Sequence, residues 1–392
     1  GTSQPRWYTE YRKFHSSSLA IRSEDVKYLV YVCSGTCGGI GDRLSGMIST
    51  FYVAVTLRRI FLIMHNNPFP LEATLRHNEI DWRCKNHLVG LTTQTVNMVD
   101  NTQREKLDEI LEAHDTNTTV IYLHVNRFSL GMVTWKASAD SAHNPLWGSM
   151  HRIHATDKHS KRLALDKAPN ALSFAFHALF KFAHSVKERY DQHLRELNLL
   201  DAQTMHMPFI AIHGRLGGFS PKSVNTAEWS DPSRHKIQDV PVFINCAANL
   251  SQQISGIARE EIPLVVVSDN VAFKEEAVIL DKRVRYLNVT LSHIDKSTLS
   301  AGNSVEILEQ GNIDAFADLL LLSQAECIVG SQSSFSGLAA IIKRMPGVST
   351  EPCYRYAFQC NHSYEYWEST ECLLDKPITE DHTRGVIVCD AW

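Results

Sequence analysis

Polar and apolar positions alternate in blocks along this chain, and each block has a readable period. YLVYVC, residues 28 to 33, is a short run of β-prone residues that reads as a buried strand. Glycine-rich SGTCGGIGDRLSG follows and breaks it. Apolar residues then recur at Leu44, Met47, Ile48, Phe51, Tyr52 and Val55, the spacing of a helix. IFLIM follows as a second strand, so the first sixty-odd residues predict a βαβ unit. TVIYLHV (119–125) predicts another strand, whereas residues 126 to 168 carry little periodicity and are expected to be loop-rich. Leu172, Phe176, Leu179, Phe180, Ala183, Val186, Tyr190 and Leu194 lie on one stripe and predict a single long helix.

The pattern then restarts. FIAIHGR, PLVVVSDN, RYLNV and CIVGS predict strands, while IDAFADLLLLSQA and SSFSGLAAIIKRM predict helices; PVFINCAANLSQQI opens a strand or a helix. Strands alternating with helices imply parallel sheets covered by helices. The predicted fold is α/β, with two Rossmann-like domains facing a cleft. The expected boundaries are an extension over 1–26, an α/β domain over 27–204, a second over 205–350 and a cysteine-rich tail over 351–392.

Composition narrows the class. The chain has 392 residues, 44% hydrophobic and 21% charged, ordinary for a globular protein. A net charge of -4 argues against nucleic acid as a partner. No apolar run reaches the ~18 residues that a membrane span needs. The start, GTSQPRWYTE, looks trimmed, so a targeting or membrane-anchoring segment is expected to precede it. Four of the nine cysteines fall in the last forty residues, at spacings unlike zinc knuckles. Disulfides are favoured over metal, with an odd thiol left over. Asn117, Asn249, Asn288 and Asn361 head glycosylation sequons. Together these features predict a secretory-pathway lumen.

Three stretches carry candidate chemistry. In open α/β sheets, ligands bind at the carboxyl ends of strands. FIAIHGRLGG ends a strand with Arg215, whose planar fork suits phosphate, and with Gly217 and Gly218, which let backbone N–H groups approach an anion. The alternative is a turn whose arginine pairs with an acid. VGSQSSFSGLAAIIKR ends a strand in Ser331, Ser333, Ser334 and Ser336, suited either to capping a helix or to holding phosphate at its N-terminus. CGGIGDRLSG is neither a dinucleotide fingerprint nor a P-loop. Its Asp42 is either an early-turn acid or a base. No Asp-x-Asp pair occurs to hold a diphosphate through a metal.

With these residues in view, the chain resembles the GDP-fucose-dependent fucosyltransferase superfamily of GT-B fold, both protein O-fucosyltransferases and plant cell-wall enzymes. HGRLGG is similar to its His-x-Arg-x-Gly motif, with His213, Arg215 and Gly217 at the matching positions. Asp318, Ser333, Ser334 and Phe335 match an aspartate followed fifteen residues later by Ser-Ser-Phe, and Asp269 matches an aspartate that ends a strand. Gly39, Gly41, Asp42 and Arg43 resemble the first Gly-x-Gly-Asn-x-Leu motif, with Asp42 in place of asparagine. Phe219 stands where the protein O-type motif has an acid.

The resemblance implies an inverting, metal-independent transfer of fucose from GDP-fucose to an acceptor hydroxyl on a glycan, without a cofactor. The first motif and the residues around Arg215 and Ser333 would bind the donor. Arg215 would grip its β-phosphate, Asp318 would contact its guanosine, and Asp42 would take the proton. Transfer to Ser or Thr of a protein, or an inactive relative that binds glycan or a partner, are the alternatives. The implied place is the Golgi or ER lumen, behind an N-terminal anchor.

Overall fold

A computed structural model describes residues 6–20, 26–33, 37–66, 69–84, 88–97, 110, 118–125, 171–200, 206–217, 234–253, 262–288, 305–331, 333–343 and 353–360. The predicted loop region 126–168, Gly218, Phe219, Asn117 and the tail from Asn361 onward lie outside these residues.

The chain divides into two compact units at Lys181 and Phe182. In the first, helix α1 (Arg6–Ala20) precedes β1 (Tyr28–Cys33), α2 (Ile40–Thr56), β2 (Ile60–His65), β3 (Leu75–His77), β4 (Thr93–Asn97) and β5 (Val120–His124). Helix α3 (Ala171–Leu179) and strand β6 (Phe180–Phe182) follow. The sheet order is β2-β1-β5-β4, all parallel, with β1 buried throughout. The expected N-terminal extension is in fact part of this unit. The Tyr11 hydroxyl donates to Arg59 O and accepts from Phe61 N, and a His15 ring nitrogen bonds Phe61 O. These side chains satisfy backbone groups along β2, a strand at the sheet's margin whose polar groups would otherwise be open.

The single long helix expected after Leu172 is broken. Carbonyls at the end of α3 are taken from outside: Asn78 N and Trp82 Nε1 donate to Leu179 O, and Glu79 N to Ala178 O. Phe180 then packs near Trp82 and Phe176. Helix α4 (His184–Glu196) starts afresh and belongs to the second unit, so the boundary lies about one helix earlier than residue 204. The cause is packing: Arg189 Nε donates to Asp314 at 2.5 Å, and His193 is buried beside Asp318.

The second unit continues with β7 (Ile210–Gly214), α5 (Val240–Ser251), β8 (Leu264–Ser268), α6 (Val271–Leu280), β9 (Val284–Tyr286), α7 (Val305–Gln324), β10 (Cys327–Gly330), α8 (Ser334–Lys343) and β11 (Cys353–Tyr356). Its sheet order is β11-β10-β7-β8-β9, again all parallel. Ile210, Ile212, Phe243, Val266, Phe273 and Val329 share one continuous core between this sheet and its helices. No helix among the described residues is long and apolar enough to cross a membrane.

The cysteine expectation holds in kind, with pairings that spacing could not give. Cys33 bonds Cys37, Cys246 bonds Cys360, and Cys327 bonds Cys353. Cys84 is a free thiol. Cys353 and Cys360 thus fasten the start of the expected tail to the second sheet and to α5, and β11 itself is that sheet's outer strand.

Candidate functional site

The carboxyl ends of β7, β8 and β10 meet at one place in the second unit, because His213 is in register with Val267 and with Gly330. Two glycines permit this. A Cβ on Gly214 would lie 2.5 Å from Phe273 Cζ, and one on Gly330 would lie 2.3 Å from the Tyr354 hydroxyl. Side chains of α6 and β11 therefore press directly on the strand ends.

The backbone after Gly214 turns its N–H groups toward Asp269. Leu216 N donates to Oδ1 at 3.0 Å and Gly217 N to Oδ2 at 3.4 Å. Arg215 Nη1 pairs with the same Oδ2 at 2.9 Å. Gly217 holds a left-handed φ of 68°, which a Cβ would strain. The fork and the N–H groups converge on the protein's own Asp269 carboxylate, the arrangement of the alternative reading, a turn whose arginine pairs with an acid. Ser331 fixes the turn from β10: its hydroxyl accepts from Arg215 N at 3.0 Å, and its N–H donates to His213 O at 2.9 Å. Ser268 donates to Gly214 O at 2.6 Å.

His213 stands at the centre of this cluster, buried, with its ring 5.3 Å from that of Phe335. Burial pushes its pKa down to about 3; Asp269 opposes the shift, and Arg215, Arg234 and His235 add to it. It is neutral at physiological pH, and its Nδ1 is a buried atom without a hydrogen-bond partner. Phe335 N donates to Ser333 Oγ at 3.3 Å, so Ser333 caps α8. Ser334 and Phe335 are half-buried in the first turn of that helix.

Asp318 lies deeper, on α7, and is 4% exposed. Burial raises its carboxyl to about 7, against the pull of Lys274. His193 Nδ1 sits 3.4 Å from its Oδ1. Lys274 is buried too, and donates to Leu287 O at 3.0 Å. Sequence reading missed Lys274 and His193, because each lies in an unremarkable amphipathic segment. It also missed Arg234 and His235, whose N–H groups both reach Leu216 O.

The first unit holds the other motif. The Cys33–Cys37 disulfide precedes Gly38, whose φ of 78° leaves no room for a side chain: a Cβ would meet Asp42 Oδ2 at 2.8 Å. Asp42 Oδ2 accepts from Gly39 N at 3.2 Å, so its carboxylate closes the start of α2. Gly41 is buried in that first turn. Arg43 points inward and is 2% exposed, with Nε on Gly38 O and Nη1 3.1 Å from His65 Nε2. His65 Nδ1 lies 3.2 Å from Phe69 O, so it carries the proton and leaves Nε2 to accept from Arg43. Burial and the Arg43 charge hold His65 down to about 4. Among the described residues, no three His, Cys, Asp or Glu side chains gather as a metal cage.

These buried imidazoles set an acid limit. A histidine neutral in the fold but free to protonate at about 6.5 when unfolded makes the unfolded state bind more protons. Stability from His213 and His65 is therefore full above that value and is lost as pH falls toward 3 to 4. Asp318 acts in the opposite sense between about 4 and 7, but His193, itself lowered to about 4, offsets it. The melting temperature is expected to drop steadily from pH 7 to pH 5. A flat profile would show that the imidazoles titrate in the fold.

No family model matches the chain, and no curated protein matches it. Among solved structures, its fold is similar to that of an Arabidopsis thaliana FUT1 mutant in complex with GDP. The TM-score is 0.54 at 12% identity, covering 86% of this chain and 77% of that chain. Fucosyltransferase NodZ from Bradyrhizobium aligns with a TM-score of 0.45 at 14% identity, over 80% of this chain and 92% of that one. POFUT1 in complex with GDP-fucose aligns with 0.43 at 11%, over 85% and 98%. The expected α/β fold with two parallel sheets is the one observed.

Proposed function

We propose that this chain is a glycosyltransferase that moves fucose from GDP-fucose to an acceptor hydroxyl, on a glycan. The observation that carries the reading is the anion-shaped turn at Arg215–Gly217, placed where β7, β8 and β10 end. The fold shared with the GDP-bound Arabidopsis structure supports guanosine diphosphate as the occupant. The acceptor hydroxyl attacks C1 of fucose on the face opposite the diphosphate, the C1–O bond breaks, and GDP leaves with inversion. Arg215 and the first turn of α8, at Ser333, Ser334 and Phe335, stabilise the charge that develops on the leaving phosphate. The proposed base that takes the acceptor's proton is Asp42.

Asp42→Asn separates base from cap. Asparagine still accepts from Gly39 N–H, so the melting temperature should hold, whereas a lost base lowers kcat by about 100-fold or more. Turnover within a few fold of wild type would leave Asp42 as a helix cap alone.

The donor is tested by thermal shift with GDP, UDP, CMP and their sugars, with and without Mg²⁺. A rise with GDP and GDP-fucose that needs no metal is expected. No rise with any nucleotide would remove the donor reading. The three disulfides among the described residues, with sequon residues Asn249 and Asn288 exposed, support an oxidising lumen such as the Golgi or ER.

A further inference from the structure

A cavity of about 350 Å³ opens in the first unit, beside the end of β2. Four stretches of chain build its walls. His65 ends β2 and Asn66 follows it. Ile63 N donates to Trp82 O at 2.7 Å, which lays Cys84 alongside that strand. Glu72 comes from the short helical turn at 71–73, Tyr122 from β5, and Leu88 from the segment beyond Cys84. The volume falls at the small end of the ~300–1,000 Å³ typical of small-molecule sites.

The lining suits hydroxyl groups. Among the described residues, no hydrogen bond from the protein occupies the Asn66 amide, the Glu72 carboxylate or the Tyr122 hydroxyl. The amide and the phenol both donate and accept, and the carboxylate is a strong, charge-assisted acceptor. Leu88 and the Tyr122 ring add apolar surface for C–H groups.

Charge argues against a second nucleotide. Glu72 is the one formally charged side chain among the described lining residues; His65 is neutral, and burial keeps the Cys84 thiol protonated. Arg83 feels the Glu72 charge, but Asp81 takes its fork through two bonds of 2.7 Å. A cavity walled by a carboxylate repels phosphate and admits a neutral polyol. It is also tied to the first motif, because His65 Nε2 accepts from Arg43, the residue after Asp42. The candidate base and the cavity share one hydrogen-bonded frame.

We propose that this cavity holds a sugar residue of a neutral glycan acceptor, with Asn66, Glu72 and Tyr122 bonding its hydroxyls. The inference rests on the transferase reading and gives the acceptor a chemistry and a place in the first unit.

The test uses the whole chain and an array of neutral and sialylated oligosaccharides, from which the best-bound neutral glycan is carried forward. At about ten times its Kd, that glycan should slow iodoacetamide alkylation of Cys84 by about ten-fold, read by peptide mass spectrometry. Glu72→Ala should weaken its binding by about 10- to 100-fold and Tyr122→Phe by about 3- to 10-fold, with GDP affinity unchanged. Glycan affinity unchanged in both variants would overturn the proposal. So would a glycan that binds without protecting Cys84, a result that needs no variant to fold. A preference for sialylated glycans, or no neutral glycan bound by a chain that binds GDP, would overturn it too. All of these outcomes leave the donor reading intact. If neutral glycan protects Cys84 but GDP does not bind, the transferase reading fails and the sugar site stands.

Discussion

Arg215→Ala is expected to lower the proposed fucose transfer by about 1,000-fold, with most of the loss in kcat. One donor aimed at charge that develops in the transition state is worth about 100- to 1,000-fold. Arg215 does more than donate, because it also balances Asp269 at 2.9 Å. Removing it leaves a carboxylate, only 13% exposed, with backbone N–H partners alone. That cost falls on the shape of the turn as well as on the leaving group. The readout is turnover with GDP-fucose, alongside GDP affinity. Arg215→Lys keeps the charge but not the fork, and should recover only part of the rate. A rate for Arg215→Ala within a few fold of wild type would show that the turn is structural and holds no phosphate.

The second large effect concerns stability. Cys246 and Cys360 are 114 residues apart in sequence, and their bond closes most of the second unit into a loop. Loop-closure entropy puts such a crosslink at about 5 kcal/mol, against about 2 kcal/mol for a ring as short as Cys33–Cys37. Cys246 is also 2% exposed within the core, so alanine there leaves a void. The double variant Cys246→Ala/Cys360→Ala should therefore melt well below Cys33→Ala/Cys37→Ala. Urea unfolding of both variants checks the order. Equal losses would mean that the unfolded chain is already compact around Cys246.

The strand ends were legible because buried parallel strands read as apolar runs and their glycines interrupt them sharply. IVG and IHG mark where Gly330 and Gly214 lie under Tyr354 and Phe273. What a strand end binds is less legible. Asp269 lies more than fifty residues from the turn it caps, and only the pairing of β7 with β8 brings it there. The break at Phe180 was hidden for a similar reason. Its stripe is continuous, and the groups that end α3 come from Asn78, Glu79 and Trp82, about a hundred residues earlier. Helix α1 did carry a signal, since Tyr8, Tyr11 and His15 fall at helical spacing and are buried. Its mean composition is polar, and only packing on β2 makes those positions informative. Strand β11 alternates as Cys-Tyr-Arg-Tyr, a period of two that the neighbouring cysteines masked.

The position of β11 also has a meaning in time. The ribosome delivers all four strands of the first sheet by residue 124, yet the second sheet lacks its outer strand until residue 356 has been made. Cys246 must wait with a reactive thiol while more than a hundred further residues are synthesised, and Cys327 waits for Cys353. The two halves of one molecule thus mature on different schedules. The half that carries the anion turn is the later one, since Cys246 and Cys327 find their partners only once Cys360 and Cys353 have been made.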